Sequence, residues 1–326
     1  MRRILAGVLA AGLGLGAFAY LNNSNLLATT GSGKPVLLAH RGLAQTFNHV
    51  GLKGDTCTAS RIDLPAHPYL ENTLASMEAA FRAGADIVEF DIHPTIDGAF
   101  VVFHDWTVDC RTDGTGVTRS HTLATLKALD IGYGYTSDGG KTFPFRGKGV
   151  GLMPTLDEVL AAFPGKRFLI HVKSNDAAEG EQLAAKLAAL PASRLAELIV
   201  YGGDAPVASF AARMPAVRTM SRASLKTCLL SYFAIGWTGH VPAACCRSMV
   251  LIPSNYAPWL WGWPDRFLQR MREAGTDVYV LGSREGDEFS RGIDSDAEFH
   301  RLPAGYSGGI WTNRIDRIAP LAAEMR

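Results

Sequence analysis

The sequence predicts an α/β fold: a TIM-like (β/α)8 barrel in a single domain, preceded by an N-terminal export segment. Three observations predict it. Eight short apolar runs recur along the chain with amphipathic stretches between them, the pattern of repeated β–α units. Reactive side chains gather at the ends of the first four runs, where barrel sites are built from the loops that follow the strands. The length of 326 residues also suits a barrel folded as one unit.

The runs lie at 36–39, 87–91, 100–104, 168–173, 198–201, 217–220, 249–253 and 278–281. Helical periodicity falls between them at 71–83, 155–162, 181–190, 205–213 and 264–274. Thr155 before Leu156, with Glu158 three residues on, is a capping box. A polar insertion at 43–70 follows the first run and predicts a wall of the pocket. A Gly-rich stretch at 132–153 is the second long irregular segment.

The N-terminus has another composition. Arg2 and Arg3 precede an uncharged stretch over 4–21, which reads as an export signal. Ala17-Phe18-Ala19 fits a small-x-small cleavage site, yet the stretch is also nearly long enough to span a bilayer uncut. Gly12, Gly14 and Gly16 argue against a buried core helix. The division is therefore 1–21 as signal peptide or membrane anchor, 22–34 as a polar linker and 35–326 as the barrel domain. The protein is expected outside the cytoplasm, periplasmic or extracellular, either soluble or membrane-anchored through residues 4–21.

Lys+Arg of 32 against Asp+Glu of 31 leaves no basic excess, so a nucleic-acid partner is excluded and a small-molecule substrate is expected. Export makes the five cysteines candidates for disulfides. Their spacing fits no zinc pattern, and the odd count leaves at least one unpaired within the chain. Cys57, in the insertion, and Cys110, past the third run, fall in loops on one barrel face and are expected to pair. Cys228 with Cys245 or Cys246 is a second candidate.

The chemistry concentrates in four runs. His40-Arg41-Gly42 delivers an imidazole and a guanidinium at the first strand end, with a glycine for a sharp exit. Glu89 and Asp91 stand two apart and so point to one side of the sheet, where two carboxylates need a cation between them. A divalent metal with oxygen ligands meets that need, and a salt-bridged pair at the rim is the plainer alternative. His93 continues the same face, as a further ligand or a neighbour. His104 ends the third run; His171 and Lys173 share a face at the end of the fourth. Phosphodiester cleavage needs this inventory: cations for a non-bridging oxygen, one group to take a proton and another to give one.

These residues resemble the glycerophosphodiester phosphodiesterase family. The matching pieces are His40-Arg41-Gly42, Glu71-Asn72-Thr73, Glu89-Phe90-Asp91, Phe103-His104-Asp105, Lys173 and the closing Gly309-Ile310-Trp311-Thr312-Asn313-Arg314, in family order. The resemblance implies metal-dependent hydrolysis of glycerophosphodiesters to glycerol phosphate and an alcohol, with His40 and His104 as the general acid–base pair. It implies that Glu89 and Asp91 hold one divalent metal, usually Ca²⁺ or Mg²⁺, that Arg41 and Lys173 contact phosphate, and that Glu71 orients the first loop or joins the metal shell. It also implies attack by the substrate glycerol's own hydroxyl, through a cyclic phosphate. His171 departs from the family, which has an acidic ligand two residues before the lysine; as a third ligand it favours Mn²⁺ or Zn²⁺. Asn313 is left without a role.

Two other functions compete: a lysophospholipase D-like activity on the same barrel, and a catalytically silent exported binding protein. The segment 256–264 holds three of the six tryptophans. It reads as core packing, as a cage for a quaternary ammonium group, or as an interfacial belt toward lipid.

Overall fold

A computed structural model of the protein describes residues 2–28, 33–53, 56–284 and 291–325, so part of the expected linker, 29–32, lies outside the described residues. The strands are β1 (Val36–His40), β2 (Ile87–Pro94), β3 (Phe100–Val102), β4 (Arg167–Val172), β5 (Leu198–Gly202), β6 (Arg218–Ser221), β7 (Met249–Pro253), β8 (Asp277–Leu281) and β9 (Gly309–Thr312). Eight of them run parallel in the order β6-β5-β4-β2-β1-β9-β8-β7. The ring is nearly closed: β6 and β7 meet at the single parallel bridge Thr219–Ser248, where the Ser248 hydroxyl also donates to the Thr219 carbonyl at 2.8 Å. The TIM-like barrel expected from the sequence is therefore the fold.

One strand assignment is corrected. The run at 100–104 is not a barrel strand; β3 lies off the ring and pairs antiparallel with β2, Pro94 opposite Phe100. The reason is the connection, since parallel strands need a crossover of a dozen residues or more and only 95–99 separate these two. Those residues make a hairpin turn, with Thr95 N–H bonded to the Ala99 carbonyl at 2.8 Å and Gly98 at φ +84°. The eighth barrel strand is β9, which the sequence reading used only as a motif.

The helices are α1 (Arg2–Asn23), α2 (Leu74–Ala83), α3 (Leu123–Ala128), α4 (Leu156–Ala162), α5 (Ala177–Leu187), α6 (Ala192–Leu195), α7 (Asp204–Arg213), α8 (Arg222–Ile235), α9 (Asp265–Glu273), α10 (Asp296–Phe299) and α11 (Ile315–Glu324). The capping box of Thr155 and Glu158 starts α4. Outward residues of the strands pack under the helices, as where Phe168 meets Phe81, Phe90 and Phe163. A second, smaller core joins the insertion and the Gly-rich stretch through Ala59, Ile62, Leu70, Phe103, Tyr135, Phe145 and Met153. The Gly-rich stretch is fastened by the Asp130 carboxylate, which accepts from the backbone N–H groups of Gly132, Gly147 and Gly149. Disulfides join Cys57 to Cys110 and Cys228 to Cys245; Cys246 is a free thiol.

Candidate active site

The site is built outward from β2. Ile87, Glu89, Asp91 and His93 share one side of that strand by its period of two, and the neighbours are set by register. His40 of β1 pairs with Glu89, and His171 of β4 pairs with Asp91. Both carboxylates are buried to within 1% of complete, so every charge on them must be met locally. Glu89 accepts from the Tyr201 hydroxyl at 2.7 Å and the Arg41 backbone N–H at 3.2 Å. The Asp91 Oδ1 atom lies 2.8 Å from His171 Nδ1 and 3.4 Å from Lys173 Nζ. Its Oδ2 accepts from Asn72 Nδ2 at 3.0 Å and lies 3.3 Å from Arg41 Nε.

Arg41 reaches this position because the chain turns sharply after β1. Arg41 itself is left-handed at φ +58°, and Gly42 follows at +79°. A Cβ on Gly42 would stand 2.6 Å from the Ser76 hydroxyl, so glycine is required there for both reasons. Glu71 is held between two arginines, Oε1 3.1 Å from Arg41 and Oε2 3.1 Å from Arg111. Of the two roles the resemblance offered Glu71, the structure places it among arginines, outside the group that gathers on a possible ion.

The two histidines are oriented by different partners. Asn313 donates its backbone N–H and its side-chain Nδ2 to the Asp294 carboxylate, at 2.6 and 2.7 Å. Its Oδ1 is thereby turned toward His40 Nδ1, 2.6 Å away, so that nitrogen carries the proton and Nε2 is bare in the neutral ring. Trp311 packs against the same ring at 4.8 Å. His104, in the loop after β3, donates Nδ1 to the Asp105 carboxylate at 2.7 Å. Arg111 Nε holds the other Asp105 oxygen at 2.8 Å, and the guanidinium continues to the Tyr135 and Thr58 hydroxyls at 2.7 and 2.6 Å. Cys57 and Cys110 directly precede Thr58 and Arg111, so the disulfide clamps the far end of this chain.

Electrostatics separate the groups. Burial and then the Asp91 charge push Glu89 up to about 8. Asp91 is also buried, but Lys173, His104 and Arg41 prevail and hold it well below the usual carboxylate range. Burial and then Arg41 hold both His40 and His104 below the ordinary imidazole value. For Asp105, Arg111 and the His104 bond outweigh burial and depress the carboxyl. Burial and Lys173 lower His171 to about 4 and His93 to about 3.

Burial and the neighbouring Asp91 charge thus disfavour a second negative charge at Glu89, a penalty that a bound cation would offset. The donor atoms of Glu89, Asp91 and His171 lie within 4.8 Å of one another, so this set can hold one divalent ion. His93 is not in the set; its Nε2 faces the His104 carbonyl at 3.4 Å, which makes it a neighbour.

A cavity of about 470 Å³ opens over these groups. His40, Arg41, His104, His171 and Lys173 line one end, and Phe47, His49, Leu52, Lys53, Thr56 and Thr58 of the insertion form a wall. Met220, Leu225, Leu251, Leu281 and Trp311 supply apolar lining to the same cavity. Among the described residues, none of 256–264 lines the cavity, so a quaternary ammonium cage in that segment has no support. Trp263 packs on Phe267 and Tyr306, while Trp259 is 73% exposed.

A model of the glycerophosphoryl diester phosphodiesterase family matches residues 40–317. The chain belongs to that family. A glycerophosphodiester phosphodiesterase of Bacillus subtilis is 39% identical over 147 residues, 41% of this chain and 48% of the relative. One of Caldanaerobacter subterraneus is 40% identical over 103 residues, 32% of this chain and 39% of the relative. The chain thus spans less than half the length of these curated relatives. Among solved structures, a glycerophosphoryl diester phosphodiesterase domain from Mycobacterium tuberculosis superposes at a TM-score of 0.62 with 17% identity, covering 88% of this chain and 99% of that one. An Oleispira antarctica phosphodiesterase, solved with the product sn-glycerol-3-phosphate, superposes at 0.55 with 20% identity, covering 89% and 97%. These likenesses establish the shared barrel.

Within the glycerophosphoryl diester phosphodiesterase family frame, several supporting residues escaped the sequence reading. Asp105 and Asn313 sat inside quoted motifs, and Arg111 sat beside a cysteine already singled out. Tyr201 and Asp294 carried no local signal, because only the barrel's register and a distant loop bring them to the site.

Proposed function

We propose that this protein hydrolyses glycerophosphodiesters to glycerol phosphate and an alcohol, with His40 and His104 as the acid–base pair. The observation that carries the proposal is the asymmetric holding of the two rings on one cavity: His40 by a neutral amide, His104 by a carboxylate. A neutral partner leaves His40 an unprotonated Nε2 suited to accept a proton. An anionic partner favours the His104 imidazolium against the burial and the Arg41 charge that hold it below the ordinary value, which makes it, of the two rings, the one suited to donate a proton.

In the first step His40 takes the proton of the glycerol hydroxyl next to the ester, whose oxygen attacks phosphorus. The bond from phosphorus to the alcohol oxygen breaks, and His104 protonates the departing alkoxide. The cyclic phosphate then opens to water with the two roles exchanged. Arg41 and Lys173 supply positive charge to the non-bridging oxygens. Glu89, Asp91 and His171 would hold a divalent cation, which supplies Lewis acidity toward phosphate. The imidazole in the set favours Mn²⁺ or Zn²⁺ over the Ca²⁺ or Mg²⁺ usual in the family.

The test measures free alcohol released from several glycerophosphodiesters with each of these four metals, in the wild type and in His40→Ala and His104→Ala. Each variant is expected to lose about 10²-fold or more in turnover. Near-normal activity in either one refutes the pair.

The apolar lining by Met220, Leu225, Leu251, Leu281 and Trp311 favours a second reading, release of the head group from a monoacylated glycerophosphodiester in a lysophospholipase D-like reaction. It predicts a lower KM for the acylated substrate than for its deacylated counterpart, and equal or higher values refute it.

A further inference from the structure

The helix α1 is 22 residues long, carries no charge between Arg3 and Asn23, and has no buried residue, being exposed from its start through Phe18. At 1.5 Å per residue it measures about 33 Å, the thickness of a bilayer's hydrocarbon core. Its last turn is built into the barrel. Asn22 and Asn23 both donate their side-chain amides to the Trp237 carbonyl, at 3.0 and 2.8 Å. Arg270 of α9 is 5% exposed; its Nη2 donates to the Asn22 carbonyl at 2.7 Å and its Nη1 to Asn23 Oδ1 at 3.0 Å. The same guanidinium is fixed by the Tyr232 hydroxyl and the Gly236 carbonyl at 2.9 and 3.0 Å. One turn earlier Phe18 meets the Trp237 ring edge-on at 6.4 Å.

This joint leaves no slack between helix and barrel. Whatever surface surrounds the joint must therefore face what α1 enters. On the α8 side of the joint that surface is apolar, while Asp265 and Arg266 of α9 flank the other side. Leu230 and Phe233, three residues apart and so on one face of α8, are 59% and 57% exposed. Trp261 adjoins them, its indole N–H bonded to the Phe233 carbonyl at 2.8 Å and its own carbonyl accepting from Tyr232. Trp259 stands beyond it. Indole rings with an apolar body and one polar edge settle at the boundary between acyl chains and headgroups.

We infer that α1 is kept as a membrane anchor and that the α8 and Trp259–Trp261 surface beside its exit seats the barrel on the lipid bilayer. Arg2 and Arg3 then lie on the cytoplasmic side and the barrel on the other, in line with the excess of basic residues on inner flanks. Residues 256–264 act as an interfacial belt.

The experiment uses the full chain produced in an exporting host. Intact-mass analysis of the membrane fraction after carbonate washing is expected to find α1 present. A mature chain that begins beyond Ala19 and sits in the soluble fraction overturns the anchor. The purified full chain is then placed in phosphatidylcholine vesicles with or without brominated acyl chains, and tryptophan quenching is compared with that of Trp259→Phe and Trp261→Phe. Together these changes are expected to remove about half of the quenching, with circular dichroism unchanged. Quenching that is the same in the double variant overturns the seating, even where α1 is retained.

Discussion

Asp105→Asn is the change that most directly tests the proposed acid. In the wild type one carboxylate oxygen accepts from Arg111 Nε at 2.8 Å and the other from His104 Nδ1 at 2.7 Å. Asparagine keeps the shape but has a single oxygen, and Arg111 offers only donors. The amide oxygen must therefore stay on Arg111, which turns the NH₂ toward His104. Nδ1 becomes an acceptor, the ring proton moves to Nε2, and the anion that favoured the imidazolium is gone. A carboxylate-to-amide change behind a catalytic histidine costs up to about 10⁴-fold elsewhere, and loss of general acid catalysis at least about 10²-fold. The expected fall in kcat is thus 10²–10⁴-fold, or about 3–5 kcal/mol in the barrier, with KM changed by less than about threefold because no substrate-binding group is lost. Steady-state kinetics across pH measures the rate, and ¹⁵N NMR of the histidine rings reads the tautomer. A variant that shows the reversed tautomer yet keeps kcat within about threefold refutes His104 as the acid.

Asn313→Ala frees the His40 ring and is expected to lower kcat by about 10-fold or more. Asn313→Asp, by placing an anion at Nδ1, should instead raise the His40 pKa and move the low-pH limb of the rate profile upward; an unmoved limb would contradict the relay from Asp294. A chelator is expected to abolish activity. Because Glu89 sits near 8, the ion must displace its proton below that pH, so apparent affinity should rise about tenfold per pH unit up to about pH 8 and then level off. Calorimetric titration checks the slope, and a pH-independent affinity removes Glu89 from the ligand set. Replacing Cys57 and Cys110 by serine opens a loop of about 54 residues and should cost about 4 kcal/mol on the chain-entropy model, read from denaturant midpoints.

The fold was legible where one strand's pattern met simple connection rules. Apolar runs with helices between them imply the barrel, and the spacing of Glu89 and Asp91 places both on one side without any structure. The error at Phe100 came from weighing the run itself over the short link before it, where Asp97-Gly98 signals a hairpin. Five helices were also passed over: α3, α6 and α10 are too short to show a period, and the longer α8 and α11 hide theirs. In α8 the apolar residues lie on both faces, Leu225 and Cys228 buried but Leu230 and Phe233 exposed, which erases the amphipathic signal. In α11 an internal Pro320 reads as a breaker. At the site, residues delivered by their own strand ends could be named, while Tyr201 and Asp294 depend on which strands become neighbours.

The barrel's closure has a consequence for what the cavity admits. Seven junctions of the ring are ladders of two or more residue pairs, but between β6 and β7 a single bridge holds the staves together. Met220 of β6, Leu251 of β7 and Leu225 of α8, the helix that spans this gap, all line the cavity. Cys228 of α8 is tied to Cys245 just before β7, so the hoop at this joint is covalent and passes outside the ring. Such a joint yields sideways at little cost in hydrogen bonds while it cannot spring open. The stretch of cavity wall formed by Met220, Leu251 and Leu225 is therefore its most compliant part, while the covalent hoop keeps the ring closed.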